Sequence, residues 1–229
     1  ADFFKKGVYD IDRDFHRTMS PSMDILISSN LERLLFEVSG RNAKLTAQRM
    51  KDLAEKQVYT ITTEEKDKID ADFCGGFAKE DDTIEAMYEI FDEFGYAMDT
   101  HTGVALAVYM QHREKCLKAN EKDDTISVVL STANPYKFPQ DVLYALSGND
   151  VKDSFKGIKR LHLLTAMKPP KSLMELRYRT PRFKTKVKNK VKDMADIVLR
   201  FALKRPDESR VFFRFISWYP GKGGRPVLP

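Results

Sequence analysis

The chemically suggestive residues of this chain are hydroxyls at two turns and one arginine. Residues 130–138 read LSTANPYKF. Ser131 and Thr132 close the apolar run of residues 126–130, and Asn134-Pro135 bends the chain toward a helix start. If that run is a strand, the two hydroxyls lie beyond its carboxyl end, where open α/β sheets gather ligands. A hydroxyl there donates to, or accepts from, a ring nitrogen or a phosphate without adding charge. A Ser/Thr turn that only satisfies local backbone is the plain alternative, and these residues leave both readings open.

The second cluster is Ser28, Ser29, Asn30 and, one turn further on, Arg33. Two hydroxyls and an amide at a helix amino terminus, with a guanidinium close by, can receive an anion. Free backbone N–H groups and the helix dipole favour negative charge there, and arginine can add a bidentate contact. The plainer reading is a bare cap, Ser29 and Glu32 having capping-box spacing, with Arg33 at the surface. Two further polar stretches are residues 18–24 and residues 99–103. His101, in the second, can do acid–base work, although a histidine beside a helix cap more often serves as a structural hydrogen bonder. There is no G-x-S-x-G, Walker loop or G-x-G-x-x-G. The four histidines and two cysteines show no metal-ligand spacing, so no metal site is expected.

The elements that must hold these residues are mostly helices. Leu31, Leu34, Leu35 and Val38 follow helical spacing, with Gly40 as the stop. A second helix is expected from about Thr83, with Ile84, Met87, Tyr88 and Phe91 on one face and Gly95 ending it. A third runs from after Asp99 toward Cys116. Residues 126–130 read as the one clear buried strand. Beyond it, Pro139 starts a helix that Gly148 ends. Residues 153–164 read as helical, with Phe155, Ile158 and Leu161 to bury, and Met194, Ile197, Val198 and Phe201 mark another amphipathic helix. So many helices around so few strands fit a complete three-layer domain poorly.

At 229 residues the chain can hold one large domain or two small ones. Its 32% of charged residues and lack of a long apolar run predict a soluble protein without a membrane span. The charged opening ADFFKKGVYDIDRDF rules out a secretory signal at that point, and two distant cysteines suit the reducing cytoplasm. Residues 183–192 alternate lysines, which can form a stripe for an acidic partner or simply a solvated edge. No aromatic ladder accompanies them, so nucleic acid is not the expected partner. A non-catalytic interaction module using residues 183–192 stands as the alternative function.

Several stretches occur together in a telling order. FFKKGVYD, TMSPSMDILISSNLERLLFE, DTHTGVA and VVLSTANPYKFPQDVL, followed by KPPKSLMELRYRTPRFK and DMADIVLRFAL, resemble the carboxyl-terminal half of threonine synthase. The resemblance covers residues 1–203; residues 204–229 form an atypical tail that matches nothing in the family. It implies an α/β architecture: the helix-rich carboxyl-terminal part of a three-layer, fold type II, pyridoxal-phosphate enzyme domain with few strands of its own. It also implies a cytoplasmic enzyme of threonine biosynthesis that converts O-phosphohomoserine and water to threonine and phosphate. In that family the pyridine nitrogen of pyridoxal 5'-phosphate faces a hydroxyl, and the matching residues are Ser131 and Thr132, with Thr132 preferred. Ser28, Ser29, Asn30 and Arg33 gain weight as the substrate-phosphate region.

The departures from the family matter equally. Its Schiff-base lysine and its Ser-Gly-Asn-Phe-Gly phosphate loop do not occur in this chain, and both are expected in a half that precedes Ala1. The expectation is a fragment carrying one wall of an active site and inactive alone. Its apolar surface would be covered by the missing half or by self-association.

Overall fold

The computed structural model describes residues 1–122, 124–181, 183–188 and 190–203. The expected tail, residues 204–229, lies outside them, as does Asn189 of the lysine stretch. The chain divides into two compact units, Ala1–Tyr178 and Arg179–Pro229.

The first unit opens with α1 (Asp2–Lys6), β1 (Val8–Asp10), α2 (Leu31–Val38), α3 (Ala43–Lys56), β2 (Val58–Thr60) and α4 (Thr63–Asp72). The two short strands pair antiparallel with Tyr9 opposite Tyr59. The two rings stack, 5.3 Å apart and 7° from parallel. With Phe3, Leu35, Leu53, Ile61 and Ile69 they make a first core. Within it α3 and α4 exchange a charge pair. Arg49 donates to both carboxylate oxygens of Glu65, at 2.9 and 2.5 Å, and both side chains are almost fully buried. Glu65 also closes a capping box with Thr62 at the start of α4, so one carboxylate serves helix and core together.

The second core belongs to α5 (Glu80–Phe94), α6 (Thr100–Lys118), a short 3-10 turn (Pro135–Lys137), α7 (Pro139–Ser147) and α8 (Ser154–Thr165). Met87, Met98, Tyr136, Val142, Leu146, Ile158 and Leu161 fill it. The helices α5 and α6 approach closely because Gly103 lacks a side chain: a Cβ there would lie 2.6 Å from Cγ of Met87. Gly95 and Gly148 end α5 and α7 in the left-handed conformation, as their positions predict. A short helix α9 (Lys171–Leu176) follows. In the second unit α10 (Val191–Leu203) forms, and Phe201 meets Phe183 edge-on at 5.0 Å.

Three expectations need correcting. Residues 126–130 are not a buried strand: no ladder pairs them, and Ile126, Val128 and Leu130 are 90, 78 and 74% exposed. A strand acquires its hydrogen bonds and cover from neighbours, and among the described residues none lies beside this one. Ser29 and Glu32 form no capping box, because α2 begins one residue late with Asn30 as its N-cap, and that side chain makes no cap bond. Tyr88 leaves the face of Met87 and stands half-exposed.

Candidate functional site

The start of α6 holds a cluster of buried, hydrogen-bonded polar side chains. Asp99 is its N-cap and 0% exposed. One carboxylate oxygen accepts the His101 backbone N–H and faces His101 Nδ1, each at 3.0 Å. The other accepts the Thr102 hydroxyl at 2.5 Å. Thr100, 0% exposed, is the one buried side chain among the described residues whose oxygen has no partner. Capping explains the aspartate: it satisfies helix donors that would otherwise be stranded.

Two separate stretches converge on this helix start. From one side comes the loop of residues 18–24, closed by the Thr18 N–H and hydroxyl donating to Asp24 at 2.8 and 2.7 Å. Its Ser22 N–H donates to His101 Nε2 at 3.1 Å, and its Met19 N–H to Glu80 at 2.8 Å. The second stretch brings Ser131, with Oγ 3.4 Å from Thr102 Oγ1, a proximity longer than the usual hydroxyl hydrogen bond.

The bend after Ser131 is made by Asn134, whose Oδ1 accepts the Tyr136 N–H at 3.0 Å. Tyr136, buried, then donates its hydroxyl to the Met167 carbonyl and anchors the turn in the second core. The local turn therefore consumes neither Ser131 nor Thr132. Both are exposed, and among the described residues the one hydrogen-bond partner near either hydroxyl is Thr102, beside Ser131.

Ser28, Ser29, Asn30 and Arg33 lie elsewhere. The Ser28 N–H donates to the Tyr9 hydroxyl, which in turn donates to the Leu26 carbonyl, both at 2.8 Å. Arg33 donates to the Asn30 side chain at 2.5 Å. Ser29, Asn30 and Arg33 are exposed. Ser28 borders a cavity of about 480 Å³ that Tyr9, Arg13, Met23, Ile25 and Leu31 also line. No hydrogen bond or ion pair among the described residues joins this group to Ser131 and Thr132. Lys6 and Arg13 also line this cavity, together with Asp2, Asp10 and Asp12; Arg13 sits in an irregular stretch with no periodicity or motif to single it out.

Comparison with known proteins finds relatives of one family. The family model "Threonine synthase, C-terminal" matches residues 102–198. The chain is 30% identical over 155 residues to threonine synthase-like 1 of Macaca fascicularis, a match covering 67% of this chain and 20% of that protein. It is 30% identical over 140 residues to the threonine synthase of Pseudomonas aeruginosa, covering 61% of this chain and 28% of that enzyme. Among solved structures, the PLP-bound threonine synthase from Brucella melitensis superposes with a TM-score of 0.64 and 31% identity, over 86% of this chain and 37% of that one. The matched region thus spans between a fifth and a third of these curated relatives. The fold is that of the carboxyl-terminal part of an α/β enzyme.

Proposed function

Because the chain belongs to the threonine synthase family through its carboxyl-terminal domain, we propose that it supplies one wall of a pyridoxal-phosphate site for making threonine from O-phosphohomoserine and water. The observation that carries this reading is that Ser131 and Thr132 are exposed while Asn134 makes the turn, so their hydroxyls remain available to a ligand. The donor set fits a pyridine nitrogen. It is uncharged, and Asp99, the carboxylate bound to the neighbouring Thr102, is buried and occupied by three donors.

The cofactor, when bound, supplies the electron sink for the bond-breaking steps. What this chain adds is position. Ser131 and Thr132 would present their hydroxyls to the ring nitrogen, Thr132 being the preferred partner. Ser28, Ser29, Asn30 and Arg33 would face the substrate phosphate, Ser28 and Arg13 lining the adjoining cavity. The row Ile126, Val128 and Leu130 would be covered by the strands of an amino-terminal half or by a second copy, and the setting would be the cytoplasm. Neither the family's cofactor lysine nor its glycine-rich phosphate loop occurs in this chain, so it should not turn over substrate alone.

The test is complementation. Mixed with the amino-terminal half of a threonine synthase and pyridoxal phosphate, the chain should release phosphate from O-phosphohomoserine. Alone with the cofactor and borohydride, it should trap no lysine stoichiometrically. One stoichiometric lysine adduct on the isolated chain would overturn the reading. In the active mixture, Arg33→Ala should weaken substrate binding more than cofactor binding.

A further inference from the structure

We infer that Asp99 and His101 form a tautomer-locked pair that positions the loop of residues 18–24 on the start of α6, with His101 as a positioning residue of the candidate site. A backbone N–H can only donate. The Ser22 N–H points at His101 Nε2 from 3.1 Å, so that nitrogen carries a lone pair and the ring proton sits on Nδ1. Nδ1 then donates to Asp99, 3.0 Å away. The carboxylate that caps the helix therefore also decides which nitrogen of the imidazole accepts.

The ring has little freedom to do otherwise. His101 is 7% exposed, and the Phe138 ring lies 4.7 Å from it, centroid to centroid. With Met19 tied to Glu80 on α5, the loop is fastened at two points to two different helices. Its Ser20 is correspondingly buried, at 3% exposed. The other oxygen of Asp99 holds Thr102, beside which Ser131 stands. One buried carboxylate thus sets the loop through His101 and holds Thr102 next to the hydroxyl-bearing segment. The catalytic relevance of this arrangement rests on the proposed role of Ser131 and Thr132; the tautomer and the loop tether do not.

The experiment uses the full chain without cofactor or substrate. Nitrogen-15 spectra of the imidazoles should show His101 protonated at Nδ1 and bare at Nε2, and the Ser22 amide should exchange slowly with solvent. His101→Gln keeps an acceptor near the Nε2 position and should preserve slow exchange. His101→Leu removes it and should speed Ser22 exchange about tenfold or more, while the core amide of Val142 stays protected. An Nε2–H tautomer in the unmodified chain, or unchanged Ser22 exchange in the leucine variant, would overturn the inference. In the complemented mixture, glutamine at 101 should retain the phosphate release that leucine loses; equal activity of the two would remove the positioning role and leave the complementation result intact.

Discussion

Glu65 and Asp99 are both buried carboxylates, yet they are surrounded by different kinds of partner. Glu65 lies in the first core against a guanidinium, its charge answered by an opposite charge in bidentate geometry. Asp99 lies beside the second core and receives a backbone N–H, an imidazole nitrogen and a hydroxyl. The first arrangement joins two helices. The second fixes the direction of polar groups that other segments then use. Burial alone does not separate a structural carboxylate from an organising one, whereas the identity of the donors does.

The largest expected effect comes from breaking the charged pair. Arg49→Met strands Glu65 in the core and should cost about 3–5 kcal/mol in denaturant unfolding at neutral pH. Hydrogen bonding to Arg49 holds the Glu65 carboxyl below its ordinary range, with the Thr62 backbone adding to this. A lowered folded value means stability that is present above the unfolded value and lost as pH falls through the folded one. The variant's deficit should therefore shrink in acid, once Glu65 is protonated. A variant as stable as the parent at neutral pH would show that the pair contributes nothing net.

Asp99→Ala should cost less, about 1–3 kcal/mol, since it strands buried neutral donors but leaves no buried charge unpaired. A loss matching that of Arg49→Met would erase the distinction between the two carboxylates. The smallest effect belongs to Ser131→Ala and Thr132→Ala. Both sites are exposed, so stability should stay within about 0.5 kcal/mol of the parent, while phosphate release in the complemented mixture falls. A matching loss of stability would make these hydroxyls structural.

The same contrast explains what the sequence made legible. Around the second core the signals are local: Asp99 caps, Gly95 and Gly148 stop, and Ile158 and Leu161 repeat at helical spacing, so α6, α7 and α8 can be read directly. Around the first core they fail. The inward residues of α3 are Thr46, Arg49 and Leu53, and those of α4 are Glu65 and Ile69. A buried arginine and glutamate look like solvent-facing residues until they are known to pair, and that pairing spans 16 positions. The strands of Tyr9 and Tyr59 were missed for a similar reason, being three residues long and partnered across some 50 positions. Residues 126–130 err the other way: their composition asks for cover that no described residue supplies. The family motifs at Ser131 and Thr132 could be read in sequence, but the role of Asn134 in freeing those hydroxyls from the turn appears only in the coordinates.

The stacked tyrosines carry a consequence of a spectroscopic kind. Burial, reinforced by the neighbouring Tyr9, pushes Tyr59 well above the ordinary phenol range. Forming phenolate there therefore takes more alkali than for an exposed tyrosine, unless water enters the stack. The near-ultraviolet absorbance of phenolate in alkali should then contain a delayed component to which Tyr59 and, in the second core, the equally buried Tyr136 contribute. Replacing Tyr136 by phenylalanine would leave the part that reports the opening of the amino-terminal core without any added dye.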